Sequence, residues 1–198
     1  MNIVYIHGAT ATHESFNYIR DHLGQDGISI NYDSKDGFRH NLDIMLEELI
    51  AVDKMFFICH SLGGIYALHI ANSMPKQVLG AVTLSTPYGG AEMADFAKFF
   101  LPYSRLLRDI GPMSWAMLVA KQIKVQHPWT NIVTTQGNAQ WLPQPNDGIC
   151  TIASQKYREA DMEIIEVPYN HYEVVLNDQV IKIINDRISR TRSKRKVS

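Results

Sequence analysis

The 198-residue chain has few of the residues on which metal centres and disulfide-stabilised folds depend. It contains only two cysteines, Cys59 and Cys150, and neither a Cys-x-x-Cys nor a His-Glu-x-x-His pattern occurs. Because two cysteines do not form a disulfide framework, we expect a reducing compartment, the cytoplasm. Because those spacings are missing, a metal site is not expected.

Long apolar runs and nucleotide-binding loops are also missing. The longest apolar run, 113–120, is far shorter than the roughly 20 residues that a membrane-spanning helix needs. The first residues show no basic segment followed by an apolar one, so no signal peptide is predicted. Gly-x-Gly-x-x-Gly and P-loop patterns do not occur, so no nucleotide or other cofactor is expected. A composition of 45% hydrophobic and 20% charged residues is typical of one globular domain.

The formal net charge of −1 conceals an uneven distribution of charge. Residues 187–198 hold six basic residues and no acidic one, whereas the remainder holds 13 basic and 20 acidic residues. Such a basic tail is either a solvated disordered end or a segment that transiently contacts an anionic lipid surface. We favour the disordered end, and we expect no nucleic-acid partner.

Apolar runs of strand length alternate with segments of helical periodicity along most of the chain. The pattern predicts strands at 2–6, 28–32, 54–59, 78–85, 131–135 and 162–167, and helices at 15–23, 42–50, 62–73 and 172–188. Strands that alternate with helices favour a mostly parallel sheet of about six strands, covered on both faces. We therefore predict one α/β domain over residues 1–190, followed by a basic disordered tail at 191–198.

The segment between the fourth and fifth predicted strands is too long for a single crossover. It carries two apolar patches, 96–101 and 113–120, which prolines and a glycine separate. The patches are either two ordinary covering helices or a cap over a substrate pocket, and we favour a helical cap insertion at about 87–129. Phe99, Trp115 and Leu118 are the candidate substrate-binding residues of this cap.

The clearest chemical signal is the segment Cys59-His60-Ser61-Leu62-Gly63, which follows an apolar strand and precedes a helix. A serine on such a tight turn presents its hydroxyl at the carboxyl edge of the sheet. The crowded backbone there requires small residues two positions before and after the serine, and Cys59 and Gly63 fill those positions. The helix that follows points its first N–H groups toward the atom under attack. The pattern therefore predicts a nucleophilic serine.

With these motifs the chain resembles the α/β hydrolases, and among them the lipases and carboxylesterases. The matching segments are the serine turn at 60–64, an oxyanion motif at 7–8, the segment 85–90 that often follows strand six in lipases, an acid loop at 146–148 and a histidine loop at 170–171. The resemblance implies a minimal α/β-hydrolase fold without the two N-terminal strands. It also implies hydrolysis of a carboxylic ester with an apolar acyl chain, so that the binding partner is a small acyl ester.

The order of residues along the chain agrees with this resemblance, because the fold requires a nucleophile, then an acid, then a histidine. Ser61 is the candidate nucleophile, and His171 is the candidate general base. Asp147 is the candidate acid that orients the imidazole. The resemblance further implies that the backbone N–H groups of Ala9 and Leu62 form the oxyanion hole.

Alternatives stay open for the acid and for the reaction. Asp33 and Asp36 follow the second predicted strand and are the other candidates for the acid. His60 adjoins the serine, but neighbours on a strand point to opposite faces, so we favour a supporting role for it. The same triad would serve a thioesterase, an amidase or a lipid-linked deacylase. A catalytically silent binding protein on the same fold is a third interpretation.

Overall fold

A sheet of six parallel strands forms the centre of the protein in the computed structural model, which describes residues 1–90, 114–140 and 142–195. The strand order is β2-β1-β3-β4-β5-β6, and every neighbouring pair is parallel. The strands are β1 Asn2–Ile6, β2 Ile28–Ile30, β3 Met55–His60, β4 Val78–Leu84, β5 Trp129–Thr134 and β6 Glu163–Val167. All six carboxyl ends therefore lie at one edge of the sheet, where loops can converge.

Helices cover both faces of this sheet. They are α1 Asn17–Leu23, α2 Phe38–Leu49, α3 Leu62–Ser73, α4 Trp115–Gln122, α5 Ile152–Gln155 and α6 Asp178–Arg195, with 3₁₀ turns at His13–Phe16 and Glu173–Leu176. One buried core joins the sheet to α2, α3 and α4, and a second joins it to α1 and α6. Val4 and Phe57 point into the first core, whereas Tyr5 and Ile58 point into the second. Because both faces are covered, β1 is apolar over residues 3–6 and β3 over residues 55–59, without the alternation of a half-exposed strand.

The predicted sheet of about six strands with helices on both faces is confirmed, although several boundaries differ. α2 begins at Phe38 instead of 42, directly after Gly37, whose φ of 97° lies in the region that glycine favours. β5 begins at Trp129 instead of 131, because Trp129 pairs with Ala81 of β4. Its indole N–H also donates to the buried Tyr88 hydroxyl at 2.9 Å. Within the described ranges, no helix combines the length and the apolar character needed to cross a bilayer.

The last helix continues past the predicted boundary near residue 188. Residues 191–195, which the sequence analysis assigned to a disordered tail, are helical, so that prediction is corrected for them. The side chain of Thr191 is buried, and the Arg187 guanidinium binds the Glu163 carboxylate of β6 at 2.6 Å. Arg192 donates to the Gln25 side-chain oxygen at 2.6 Å. Partners from distant segments thus hold a part of the chain that its composition alone predicted to be disordered. Residues 196–198 lie outside the described ranges.

Candidate active site

Ser61 occupies the sharp turn between β3 and α3. Its φ of 51° and ψ of −120° place it in a backbone region that residues with a side chain rarely adopt. Neighbouring segments hold this conformation: the Ser61 N–H donates to the Leu84 carbonyl at 2.8 Å, and the Thr86 hydroxyl donates to the Ser61 carbonyl at 3.0 Å. The serine turn therefore has the strained strand-to-helix geometry that the motif predicts.

The space around this turn admits only small residues. A Cβ atom on Gly63 would lie 2.0 Å from the Ile6 carbonyl oxygen, so only glycine fits there. A Cβ atom on Gly8 would lie 3.1 Å from the Ser61 Cβ, which shows that the loop after β1 packs directly against the serine. The motif at 7–8 and the serine turn are therefore neighbours at the carboxyl edge of the sheet.

The loops after β5 and β6 bring Asp147 and His171 together. The His171 Nδ1 lies 2.7 Å from the Asp147 Oδ2, and both side chains are almost completely buried. The His171 backbone N–H also donates to the Asp147 backbone carbonyl at 3.1 Å, which fixes one loop on the other. A buried carboxylate in this position favours the imidazole tautomer that carries its proton on Nδ1.

Besides His171, four N–H and O–H donors surround the Asp147 carboxylate. The Oδ1 accepts the backbone N–H groups of Ile149 at 3.0 Å and Cys150 at 2.9 Å. The Oδ2 accepts the Thr134 hydroxyl at 2.6 Å and the Gln155 side-chain amide at 2.9 Å. Burial raises the pKa of this carboxyl, but His171, the Cys150 N–H and the Thr134 hydroxyl outweigh burial and hold its pKa below the usual value. Asp147 is therefore an anion in the folded protein.

Sequence reasoning missed Thr134 and Gln155. Thr134 ends β5, and polar residues at the carboxyl end of a parallel strand are a usable signal for site residues. Gln155 ends the four-residue helix α5, and no local pattern distinguishes it. Its amide oxygen accepts the Thr134 N–H at 3.0 Å, so its amino group is the part that faces Asp147.

His60 connects the serine turn to the histidine loop. Its Nε2 lies 2.9 Å from the His171 backbone oxygen, and because a carbonyl only accepts, Nε2 carries the proton. Burial, and next the charge of the His171 ring, lower the pKa of His60 to about 3. His60 is therefore neutral near pH 7, which agrees with a supporting role.

This buried neutral histidine predicts a loss of stability in acid. The His60 pKa is about 3 in the folded state but about 6.5 when unfolded, so the unfolded chain binds the extra proton between those values. The free energy of unfolding should therefore fall below about pH 6.5, with His60 contributing at most about 1.4 kcal/mol per pH unit.

Urea unfolding of wild type and His60→Gln at several pH values measures this contribution. The stability of His60→Gln should depend less steeply on pH, whereas His40→Gln, at an exposed position, should follow the wild type. Equal slopes for wild type and His60→Gln would show that His60 is not the group responsible.

The backbone N–H groups named for the oxyanion hole lie on the two segments that flank the serine. Leu62 is the first residue of α3, so its N–H has no acceptor within the helix. The Thr10 N–H donates to the Ser34 hydroxyl, and the Ala11 N–H donates to the Gly8 carbonyl. The Ala9 N–H, directly before these two, has no acceptor within the part of the chain that the structure describes.

The remaining candidates lie away from the Asp147–His171 pair or outside the described residues. Asp33 is exposed, and its carboxylate accepts the Lys35 N–H at 2.8 Å within its own turn; Asp36 is also exposed. Of the predicted cap, residues 91–113 fall outside the described ranges, and Phe99 is among them. Trp115 and Leu118 lie on α4 and are 48% and 39% exposed.

Comparison with known proteins identifies the fold. No protein-family model and no curated protein sequence matches the chain. Three solved structures are similar at TM-scores of 0.68, 0.67 and 0.63: a carboxylesterase of the thaumarchaeon Nitrososphaera gargenis, a haloalkane dehalogenase variant from Bradyrhizobium elkanii, and mouse α/β-hydrolase domain-containing protein 10. Their identities are 11%, 10% and 13%. Each alignment covers 98% of this chain and 91%, 91% and 90% of the respective neighbour.

These likenesses and the six-stranded parallel sheet show that the protein has an α/β-hydrolase fold. An esterase and a dehalogenase are both among the neighbours, so the fold alone does not determine the reaction. The reaction has to be inferred from the side chains at the carboxyl edge of the sheet.

Proposed function

We propose that the protein is a serine hydrolase that cleaves a carboxylic ester with an apolar acyl chain. The observation that carries this proposal is the buried Asp147–His171 hydrogen bond, at the same sheet edge as the strained Ser61 turn. A nucleophile on such a turn, with a base that a third residue orients, is the arrangement that activates a serine hydroxyl. The carboxylesterase among the structural neighbours supports the ester as the bond that is cleaved.

The proposed reaction proceeds in two stages. Ser61 attacks the carbonyl carbon while His171 accepts the hydroxyl proton through Nε2, and His171 then protonates the departing alcohol. A water molecule next attacks the acyl-enzyme with the same base, which releases the acid and frees Ser61. Asp147 keeps the imidazole in its Nδ1–H tautomer and stabilises the imidazolium that forms in both stages.

The N–H groups of Ala9 and Leu62 stabilise the oxyanion in this scheme. Both are backbone donors, and the Leu62 N–H lies at the positive end of the α3 dipole. One such donor is typically worth about 2.7–4 kcal/mol in the transition state. Because Gly8 packs against Ser61, the loop that carries Ala9 lies beside the nucleophile.

Labelling with a fluorophosphonate probe tests the proposal without knowledge of the natural substrate. An activated serine forms a covalent adduct, and mass spectrometry of the digested protein should find that adduct on Ser61. A folded wild-type protein that stays unlabelled would favour the catalytically silent binding protein and would contradict the proposal.

The apolar acyl chain leads to a prediction about chain length. Trp115 and Leu118 share a face of α4, and the Trp115 ring lies 5.2 Å from the Arg39 guanidinium at the start of α2, which begins near the carboxyl edge. Burial of an acyl chain contributes about 0.8 kcal/mol per methylene, so kcat/KM should rise up to about fourfold per methylene until the pocket is full. A panel of p-nitrophenyl esters from acetyl to palmitoyl measures this.

Substitutions in the predicted cap test whether its side chains cause the preference for long acyl chains. Trp115→Ala and Phe99→Ala should lower kcat/KM for the octanoyl ester far more than for the acetyl ester. Ile50→Ala removes an apolar side chain that is more exposed than Trp115, at the end of α2 near the opposite sheet edge, and should change neither. Equal losses on both esters would show that Trp115 and Phe99 support the fold and do not contact substrate.

A further inference from the structure

The thiol of Cys150 lies against the Asp147–His171 pair, and it has no role in the proposed hydrolysis. Its Sγ is 3.6 Å from the His171 Nδ1, and 3.6 and 3.7 Å from the two Asp147 carboxylate oxygens. All three side chains are buried. A thiol sulfur, an imidazole nitrogen and a carboxylate oxygen, all of which bind transition metals, thus lie within 4.8 Å of one another.

The distances between these atoms match a tetrahedral zinc site. Usual Zn²⁺ bond lengths with tetrahedral angles place sulfur about 3.5–3.6 Å from a nitrogen or oxygen ligand, and nitrogen about 3.3 Å from oxygen. The 3.6 Å from sulfur to Nδ1 already fits, and the 3.7 Å from sulfur to Oδ2 exceeds this range by only about 0.1 Å. The distance from Nδ1 to Oδ2, which is 2.7 Å here, would have to open by about 0.6 Å to admit the ion.

We propose that Asp147, Cys150 and His171 form an inhibitory site for Zn²⁺, with water as the fourth ligand. Mixed nitrogen, oxygen and sulfur ligands suit zinc, whereas magnesium and calcium prefer oxygen ligands alone. The backbone N–H groups of Ile149 and Cys150 continue to hold the Asp147 Oδ1. On Oδ2 the ion takes the place of the His171 N–H, while Thr134 and Gln155 keep donating to that oxygen.

The inhibition rests on the proposed function, because it acts on the proposed base. Zn²⁺ at Nδ1 replaces the proton there, and that proton then resides on Nε2, the nitrogen that must accept the Ser61 proton. The Cys150 thiol loses its own proton to solvent when its sulfur binds the ion. The zinc-bound imidazole consequently has no free nitrogen with which to activate the serine.

Two measurements test the metal site and the hydrolase separately. Cobalt(II), a coloured stand-in for zinc, should give a thiolate-to-metal charge-transfer band with wild type and with Ser61→Ala, because neither the ion nor the band needs the nucleophile. Zinc chloride should slow fluorophosphonate labelling of Ser61 in wild type, and a chelator should restore the rate. The labelling rate of each protein is compared with its own metal-free rate.

Variants of the two cysteines identify the thiolate. Cys150→Ser and Cys150→Ala should lose the cobalt band, and their apparent zinc affinity should fall at least about 100-fold. Cys59→Ala, which removes the other buried thiol, should keep both the band and the zinc effect. Absence of the band in wild type, or zinc inhibition of equal strength in both Cys150 variants, would overturn the proposal. A band without any labelling of wild type would support the metal site and contradict the hydrolase.

Discussion

Replacement of Ser61 by alanine is expected to lower kcat for ester hydrolysis by about 10⁴–10⁶-fold and to leave the fold intact. Alanine lacks the hydroxyl that attacks the ester, and members of a catalytic triad act as a unit, so His171 and Asp147 alone cannot replace it. Alanine occupies the strained backbone at φ 51° about as well as serine does, so the free energy of unfolding should change little.

The measurement is steady-state hydrolysis of a p-nitrophenyl ester by wild type and variant, with circular dichroism and urea unfolding as tests of folding. Ser29→Ala is the matched control, since it deletes a hydroxyl of β2 that has no hydrogen-bond partner within the described residues. That variant should keep wild-type kcat. Near-native turnover by folded Ser61→Ala would remove the whole mechanism.

Asp147→Asn should lower kcat about 10⁴-fold, the loss typical when the acid of such a triad becomes an amide. The carboxylate accepts five hydrogen bonds from N–H and O–H groups, whereas an asparagine amide must turn its amino group toward some of these donors. In place of Oδ2, the amino group faces His171 together with Thr134 and Gln155, so the amide cannot stabilise the imidazolium and favours the wrong tautomer. In place of Oδ1, the amino group faces the backbone N–H groups of Ile149 and Cys150 and leaves buried donors opposed, which lowers the free energy of unfolding by about 1–3 kcal/mol.

Asp33→Asn is the matched control, because that carboxylate is exposed and caps only its own turn. Kinetics and urea unfolding of both variants should show normal turnover for Asp33→Asn and a loss for Asp147→Asn that exceeds any loss of folded protein. A mild effect at Asp147 with a severe one at Asp33 or Asp36 would assign the acid to the loop after β2.

Local sequence was sufficient to predict the parallel sheet and the serine turn. The apolar run before Ser61 predicted a strand covered on both faces, and Gly63 marks where the following helix meets the Ile6 carbonyl. These features depend on periodicity and on residue size, which are properties of neighbours in the chain. The chain order of Ser61, Asp147 and His171 likewise follows from the sequence, since parallel strands place their following loops at one edge.

Only the tertiary structure decided what surrounds those residues. It placed Thr134 and Gln155 on the Asp147 carboxylate, the His60 ring on the His171 carbonyl, and Cys150 beside the acid–base pair. These contacts join residues up to 111 positions apart. The helix that extends to Arg195 is likewise held by side chains of distant segments. A side chain's hydrogen-bond partners depend on where the backbone places other segments in space, and no periodicity along the chain records that placement.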